Sequence, residues 1–217
     1  MNCVDAETLW DVASVLAREA AKVSRAEGRT TLNLPPLLFF TDPDRTPRPW
    51  ETAARLPAGS GVVFRHFGRD DAYDTARRLR EATAGRDGLL LIGLDAELAE
   101  RVGADGIHLP ERALDQAKAM SRARPDWRIT GAVHRLQGLE AASDLDAVVV
   151  SPVFQAGGTS SGKTPLDLPG LTKFVRTSGV PVYALGGIDS SNARSLIGSG
   201  ACGLAGVASI QSAFGPD

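Results

Sequence analysis

The chain has 217 residues, of which 43% are hydrophobic and 23% charged, with a formal net charge of -2. That composition supports one domain with a sizeable core, and it excludes whole-chain disorder and the basic face that a nucleic-acid binder presents. No apolar run approaches membrane-spanning length, and the N-terminus lacks the basic-then-apolar order of a secretory signal. Two cysteines, Cys3 and Cys202, match no metal spacing, so the expectation is a soluble cytoplasmic protein with reduced thiols and no membrane partner.

In chain order, the first predicted element is a helix over Ala6–Ala26. Leu9, Val12, Leu16, Ala20 and Val23 fall on one face, while Arg18, Glu19, Lys22 and Arg25 fall elsewhere. Residues 1–30 therefore read as a helical extension placed over the N-terminal end of the domain that occupies 31–217. A dimer contact is the alternative use for this helix. Strands follow at Leu37–Phe40, Gly61–Phe64, Leu89–Ile92, Gly106–Leu109, Arg128–Val133, Ala147–Val150, Pro181–Leu185 and Gly203–Val207. Most are unbroken Leu/Ile/Val runs, as expected of parallel strands covered by helices on the outer face. Between them, helical patterns are predicted from Trp50 and over Asp71–Ala84, Ala96–Val102, Leu114–Ala123, Leu136–Ala142, Leu168–Thr177 and Ser191–Gly198. Eight strand-then-helix repeats predict an α/β fold, a single (β/α)₈ barrel, with a doubly wound open sheet as the competing topology.

In such a barrel the chemistry lies at the C-terminal ends of the strands. All three histidines fall there: His66 after strand two, His108 in strand four and His134 after strand five. Imidazole titrates near neutrality, so each is a candidate acid/base, His134 foremost; a histidine merely bonded to a neighbouring loop is the plainer alternative. Arg65 ends strand two, where a guanidinium needs an oxyanion or a salt-bridge partner. Thr41 ends strand one and either touches a ligand or holds the mouth together. The Gly/Ser-rich loop Ser151–Pro165 carries the cation Lys163 and suits closure over a phosphate. From Gly157 to Thr164 it satisfies G-x-x-x-x-G-K-[ST], but Pro165 and its place after strand six speak against a phosphate-binding P-loop. Finally, Gly186-Gly187 and then Gly206-Val207-Ala208 follow the last two strands, where backbone N–H groups can surround an anion.

These pieces together resemble the thiamine phosphate synthase/TenI family from about Leu37 to Ile210. The matching runs are Phe40-Thr41-Asp42, Gly103-Ala104-Asp105-Gly106-Ile107-His108-Leu109, Val133-His134, Ser151-Pro152-Val153-Phe154, Val182–Ile188 and Gly200–Ala205. The resemblance implies a barrel, commonly dimeric, that binds thiazole phosphates of vitamin B1 synthesis. It also implies, in the synthase branch, a Mg²⁺ ion that neutralises a leaving diphosphate. This chain departs from that branch. The family's Asn-Asp after strand three falls on Gly93-Leu94, and its Gln-Glu-Asp after strand four on Glu111-Arg112-Ala113. The lysine following the strand-two arginine falls on Phe67, and the serine near the histidine on Ala132. Asp95 and Glu111 are the nearest carboxylates that could replace the lost ligands. The resemblance thus implies a phosphorylated small-molecule substrate without a metal or other cofactor, and TenI-like thiazole tautomerisation with His134 as proton carrier. The alternatives are a synthase with a rearranged Mg²⁺ site and a non-catalytic phosphate-binding regulatory barrel.

Overall fold

A computed structural model describes residues 3–26, 33–158 and 161–216. Eight parallel strands pair in sequence order and close, β8 beside β1, into a barrel. They are β1 (Leu37–Phe40), β2 (Gly61–Phe64), β3 (Leu89–Gly93), β4 (Gly106–Leu109), β5 (Arg128–Val133), β6 (Ala147–Val150), β7 (Val182–Leu185) and β8 (Gly203–Gly206). The helices are α1 (Cys3–Ala26), α2 (Pro49–Ala53), α3 (Ala72–Ala84), α4 (Ala96–Val102), α5 (Ala117–Ala123), α6 (Asp167–Thr177) and α7 (Ala208–Phe214). Closure rather than an open sheet is the outcome, as the eight repeats predict.

The alternation of side chains along each strand makes two apolar layers. Leu37, Phe39, Val62, Leu90, Ile92, Ile107, Val148 and Leu204 face outward under the helices. Leu38, Phe40, Val63, Leu91, Val149, Tyr183 and Ala205 fill the interior. A strand needs apolar residues at every position to satisfy both layers, which is why these segments read as unbroken hydrophobic runs. The lower interior is plugged by Tyr183, whose hydroxyl donates to the Pro35 carbonyl at 2.6 Å. At the same end the Asp105 and Asp146 carboxylates accept the N–H groups of Leu90 and Ile129, each at 2.7 Å. Asp105 also pairs with Arg80 at 2.6 Å. The Gly103–Gly106 run therefore does stability work at the end of the barrel away from the chemistry.

Three expectations about helices are corrected. The connections after β4, β5 and β7 contain 3₁₀ segments, Glu111–Gln116, Leu136–Ala141 and Ala193–Leu196, where α-helices were predicted; only the first continues into α5. α7, directly after β8, was not predicted. The predicted cover over the barrel's lower end is also corrected, since α1 lies along the side wall. Its Asp5 accepts a hydrogen bond from Ser190 in the β7 loop, and its Glu19 accepts one from the N–H of Gly198, before β8, at 3.3 Å. It runs antiparallel to the strands with Leu9, Val12, Ala13 and Leu16 buried in the outer apolar layer. The short 3₁₀ segment between β7 and β8 leaves that wall uncovered, and α1 covers it; only Ala20 reaches the interior cluster. The boundary expected at residue 30 lies outside the described residues. Among the described residues no helix is long and apolar enough to cross a membrane.

Candidate functional site

At the C-terminal end of the strands the barrel opens into a cavity of about 890 Å³. Phe40, His108, Ala132, Val149, Leu185 and Ala205 form its floor, all of them inward positions of their strands. Small residues at Ala132 and Ala205, with Gly93 on the wall, leave the space that larger side chains would fill. Four cations, Arg45, Arg65, Arg112 and Lys163, line the cavity against two carboxylates, Asp95 and Asp189. That excess favours an anionic ligand.

His134 stands at the end of β5 with its ring orientation determined by its neighbours. Its Nδ1 lies 3.0 Å from the Ser151 carbonyl and 3.2 Å from the Ser151 hydroxyl. A carbonyl only accepts, so Nδ1 carries the proton and the lone pair is on Nε2. His134 lines the cavity, so the ring is arranged as a base toward whatever the cavity holds. Its backbone N–H donates to Glu111 Oε1 at 2.9 Å, which ties β5 to the β4 loop. Glu111 itself does not line the cavity. It braces the loop that carries the histidine.

His108 is buried in the floor, its Nδ1 2.9 Å from the Thr130 hydroxyl and its ring edge-on to Phe40 with centroids 5.0 Å apart. Burial, with help from the nearby positive charge of Arg65, pulls its pKa down to about 3. It is a neutral imidazole at working pH. The linkage follows directly: a group whose folded pKa is depressed contributes stability that is present above its unfolded value of 6.5 and is lost as pH falls from there toward 3. One proton taken up on unfolding should give a slope of about 1.4 kcal/mol per pH unit in that window. Urea unfolding at pH 7, 6 and 5 should show this component, and His108→Gln should flatten it; an unchanged pH dependence in that variant would contradict the assignment.

Arg65 is held from two sides. Its Nε donates to the Thr41 carbonyl at 2.9 Å, and its backbone N–H to the Thr41 hydroxyl at 3.0 Å. Thr41 is buried, lies off the cavity lining, and serves as the anchor for the arginine. The guanidinium sits between Phe40 and Phe67, at 5.4 and 5.5 Å from the two ring centroids, and Asp42 Oδ2 is 3.9 Å from Nη2. That Nη2 is buried and has no hydrogen-bond partner among the described residues. Burial draws the Arg65 pKa down to about 10, still charged at neutrality.

His66 has a closed set of partners. Gly68 donates its N–H to Nδ1 at 3.1 Å, so the ring proton is on Nε2, 3.3 Å from Asp95 Oδ2. Asp95 Oδ1 in turn caps α4 by accepting the Leu98 N–H at 2.8 Å. The pair joins the β2 loop to the β3 loop. Beside it, Phe67 (φ 49°) and Leu94 (φ 60°) have left-handed backbones, which cost non-glycine residues about 1–2 kcal/mol each. Both line the cavity, with 68% and 38% of their surfaces exposed.

The β7 and β8 loops form another side of the mouth, with Gly186, Gly187, Gly206, Val207 and Ala208 all on the cavity lining. The first N–H groups of α7 have no acceptor within the helix. Gly186 and Gly187 are in left-handed conformations, φ 99° and 68°, and a Cβ on Gly187 would lie 2.5 Å from the Gln155 carbonyl oxygen. The glycines thus let the β6 loop pack directly on the β7 turn, where Phe154 donates its N–H to the Gly186 carbonyl at 3.0 Å. From there the β6 loop crosses the mouth: a Cβ on Gly158 would meet Arg45 Nη1 of the β1 loop at 2.9 Å. Arg45 is fastened to Asp42 at 2.9 Å. Lys163 is exposed and reaches the cavity rim. Thr159 and Ser160 of this loop, and the side chain of Cys3, lie outside the described residues. Cys202 is buried, and burial pushes its thiol pKa far up, so the thiol stays protonated.

Several site features escaped the sequence: the His66–Asp95 pair, the Ser151 carbonyl behind His134, and Arg45 and Arg112 on the lining. Only the Asp95-Ala96 start of α4, a helix-cap pattern, signalled one of them. The donor set can be tested against a divalent cation. Mg²⁺ takes oxygen ligands in near-octahedral geometry, several of them often water. Gly93 and Leu94 supply no side-chain oxygen, both Asp95 oxygens are engaged, and Glu111 turns to the His134 backbone. Among the described residues no three His, Cys, Asp or Glu side chains gather as a metal site. The residues at this mouth do not fit a carboxylate-held Mg²⁺.

The profile of the thiamine monophosphate synthase family matches residues 44–210. The chain is 30% identical over 139 residues to the putative thiamine-phosphate synthase 2 of Aquifex aeolicus, covering 63% of this chain and 74% of that protein. It is 34% identical over 145 residues to the thiamine-phosphate synthase of Gloeobacter violaceus, covering 66% of this chain but 42% of that longer protein. In fold it is similar to the thiamine phosphate pyrophosphorylase of Pyrococcus furiosus, with a TM-score of 0.70 at 24% identity over 84% of this chain and 93% of the other.

Proposed function

The chain belongs to the thiamine monophosphate synthase family, and on that premise we propose that it catalyses a metal-free proton shift on a phosphorylated thiazole, the tautomerase chemistry of the TenI branch. The observation that carries this is His134, whose Nδ1–H is held by Ser151 so that an unprotonated Nε2 is left toward the cavity. Nε2 takes the proton from the ring carbon of a thiazole carboxylate phosphate, and the resulting imidazolium returns it to the exocyclic carbon. Double bonds move, no atom is gained or lost, and the ring becomes aromatic. His134 is the one residue assigned to the proton. The phosphate is placed at Gly186, Gly187 and the Gly206–Ala208 turn, with Lys163 closing from the β6 loop; these backbones leave room for an oxyanion against N–H groups. A homodimer in the cytoplasm is the setting proposed for this activity.

A second reading, a thiamine phosphate synthase, draws support from the names of the relatives. The unsuitable donor set for Mg²⁺ weighs against it. Purified full-length protein should convert the non-aromatic tautomer of the thiazole carboxylate phosphate, followed by proton NMR, equally well with and without EDTA. With the thiazole phosphate and pyrimidine diphosphate pair it should form no thiamine phosphate at any Mg²⁺ concentration. Mg²⁺-dependent thiamine phosphate formation would install the synthase in its place, and ligand binding without either turnover would make the barrel a binding module.

A further inference from the structure

α1 uses only one of its faces on the barrel. Ala6, Leu9, Val12 and Leu16 are buried against the wall, and the opposite face meets solvent. Charge on that outer face is sorted by sign along the helix: Glu7 and Asp11 in the first half, Arg18, Lys22 and Arg25 in the second, all of them exposed. Among the described residues none of these five side chains has an ion-pair partner. Glu7 and Asp11 are four residues apart, as are Arg18 and Lys22, so each half sets like charges on neighbouring turns, where they repel. The helix dipole favours acids in the first turn and bases in the last, but Asp11 and Arg18 lie beyond the turns it reaches.

The spacing identifies what relieves that repulsion. Val4 and Arg25, Glu7 and Lys22, Asp11 and Arg18, and Ser14 and Val15 are each placed symmetrically about the point between residues 14 and 15. A second copy of α1, laid antiparallel across a two-fold axis at that point, sets Glu7 beside the partner's Lys22 and Asp11 beside the partner's Arg18, and symmetry repeats both pairs. At the centre half-buried Val15 meets its own copy and Ser14, residues small enough for close approach. At the ends Val4, 70% exposed, lies on the aliphatic stem of the partner's Arg25. A parallel arrangement would oppose like charges, and a uniformly charged partner (a nucleic acid or an anionic lipid surface) would be repelled by one half. We propose that the outer face of α1 is a self-association surface that pairs in antiparallel register with α1 of a second copy of this chain. The helix has 24 residues, so the contact is about 36 Å long at 1.5 Å per residue. Exposed ion pairs are individually weak, which makes the association reversible and salt-sensitive. The surface does not depend on which reaction occurs at His134.

Sedimentation velocity on the full chain tests it. Wild type should self-associate roughly fivefold or more tightly in about 50 mM NaCl than in about 500 mM. Two double variants change the sign of one half each: Arg18→Glu with Lys22→Glu leaves the face mostly acidic, and Glu7→Lys with Asp11→Lys makes it basic throughout. Each should keep the wild-type circular dichroism spectrum, since the four side chains are exposed, yet self-associate roughly tenfold or more weakly. An equimolar mixture of the two should regain wild-type association, a recovery that misfolded variants cannot produce. Val15→Cys in a Cys3→Ser background should form an intermolecular disulfide with oxidised glutathione in low salt, and much less of it in high salt. Wild type that stays monomeric at about 200 μM in low salt, at concentrations where weak specific contacts are populated, would overturn the proposal. So would an assembly state that neither double variant changes, which would place pairing on another face, or double variants that fail to associate when mixed.

Discussion

His134→Ala should lower turnover of the thiazole tautomer by about 10²–10⁴-fold, the usual contribution of a positioned acid/base. In activation free energy that is about 3–5 kcal/mol. Affinity for inorganic phosphate should stay within about twofold, because the anion site proposed at Gly186, Gly187 and Ala208 lies on other loops. The variant should also fold. His134 is half-buried, its backbone bond to Glu111 does not involve the ring, and the ring's removal leaves the Ser151 carbonyl free to meet water. His134→Gln is the sharper control: an amide can still donate toward Ser151 but cannot carry a proton to and fro. NMR of tautomer conversion together with phosphate titration separates the two effects. Wild-type-like turnover in either variant would remove His134 from the mechanism.

The second large effect belongs to Gly187→Ala. The residue is at φ 68°, and its new Cβ would lie 2.5 Å from the Gln155 oxygen, 2.7 Å from the Phe154 carbonyl carbon and 2.8 Å from the Phe154 oxygen. All three atoms are backbone, so no side-chain rotation relieves the clash. Left-handed strain and displacement of the β6 loop together should cost about 2–4 kcal/mol of stability. Because that loop also crosses the mouth to Arg45 and brings Lys163 to the rim, phosphate affinity should fall with it. Gly157→Ala is the matched control on the same loop. Nothing lies within 4 Å of its Cβ position, and it should stay within about 0.5 kcal/mol of wild type. Urea unfolding and phosphate titration of both variants check the pair, and equal stability of the two would mean that the β6 loop is not packed on the β7 turn as described.

The two effects bear on different parts of the reading. Loss of turnover with retained phosphate binding would speak to His134 as the proton carrier. Loss of phosphate binding with the loop would speak to the glycine turn as the anion site. The misfit to Mg²⁺ is independent of both effects, because Gly93 and Leu94 offer no side-chain oxygen and Asp95 and Glu111 are engaged elsewhere.

Much of the architecture was legible in the amino-acid order. All eight strands lie where their apolar runs predict, with ends shifted by at most a residue. A parallel barrel strand buries both faces, and that demand is met only by consecutive apolar side chains, which is a local signal. The amphipathic stripe of α1 is local in the same way, as is the placing of His66, His108 and His134 at strand ends. Helix type after β4, β5 and β7 was not local. Segments such as Leu136–Ala141 and Ala193–Leu196 are too short to stabilise an α-helix on their own, so packing selected the tighter 3₁₀ turn. The position of α1 on the wall rather than over the barrel's end likewise depended on how little the β7–β8 connection covers.

The site divides the same way. Residue types alone determined that this mouth lacks paired carboxylates after β3 and β4 and keeps glycines after β7 and β8. Only the tertiary structure decided what each side chain there is able to do. Ser151, far from His134 in sequence, sets its tautomer; Asp95 occupies the proton of His66; burial holds His108 neutral. Protonation and hydrogen-bond direction depend on neighbours brought together by closing the barrel, and no spacing along the chain encodes them.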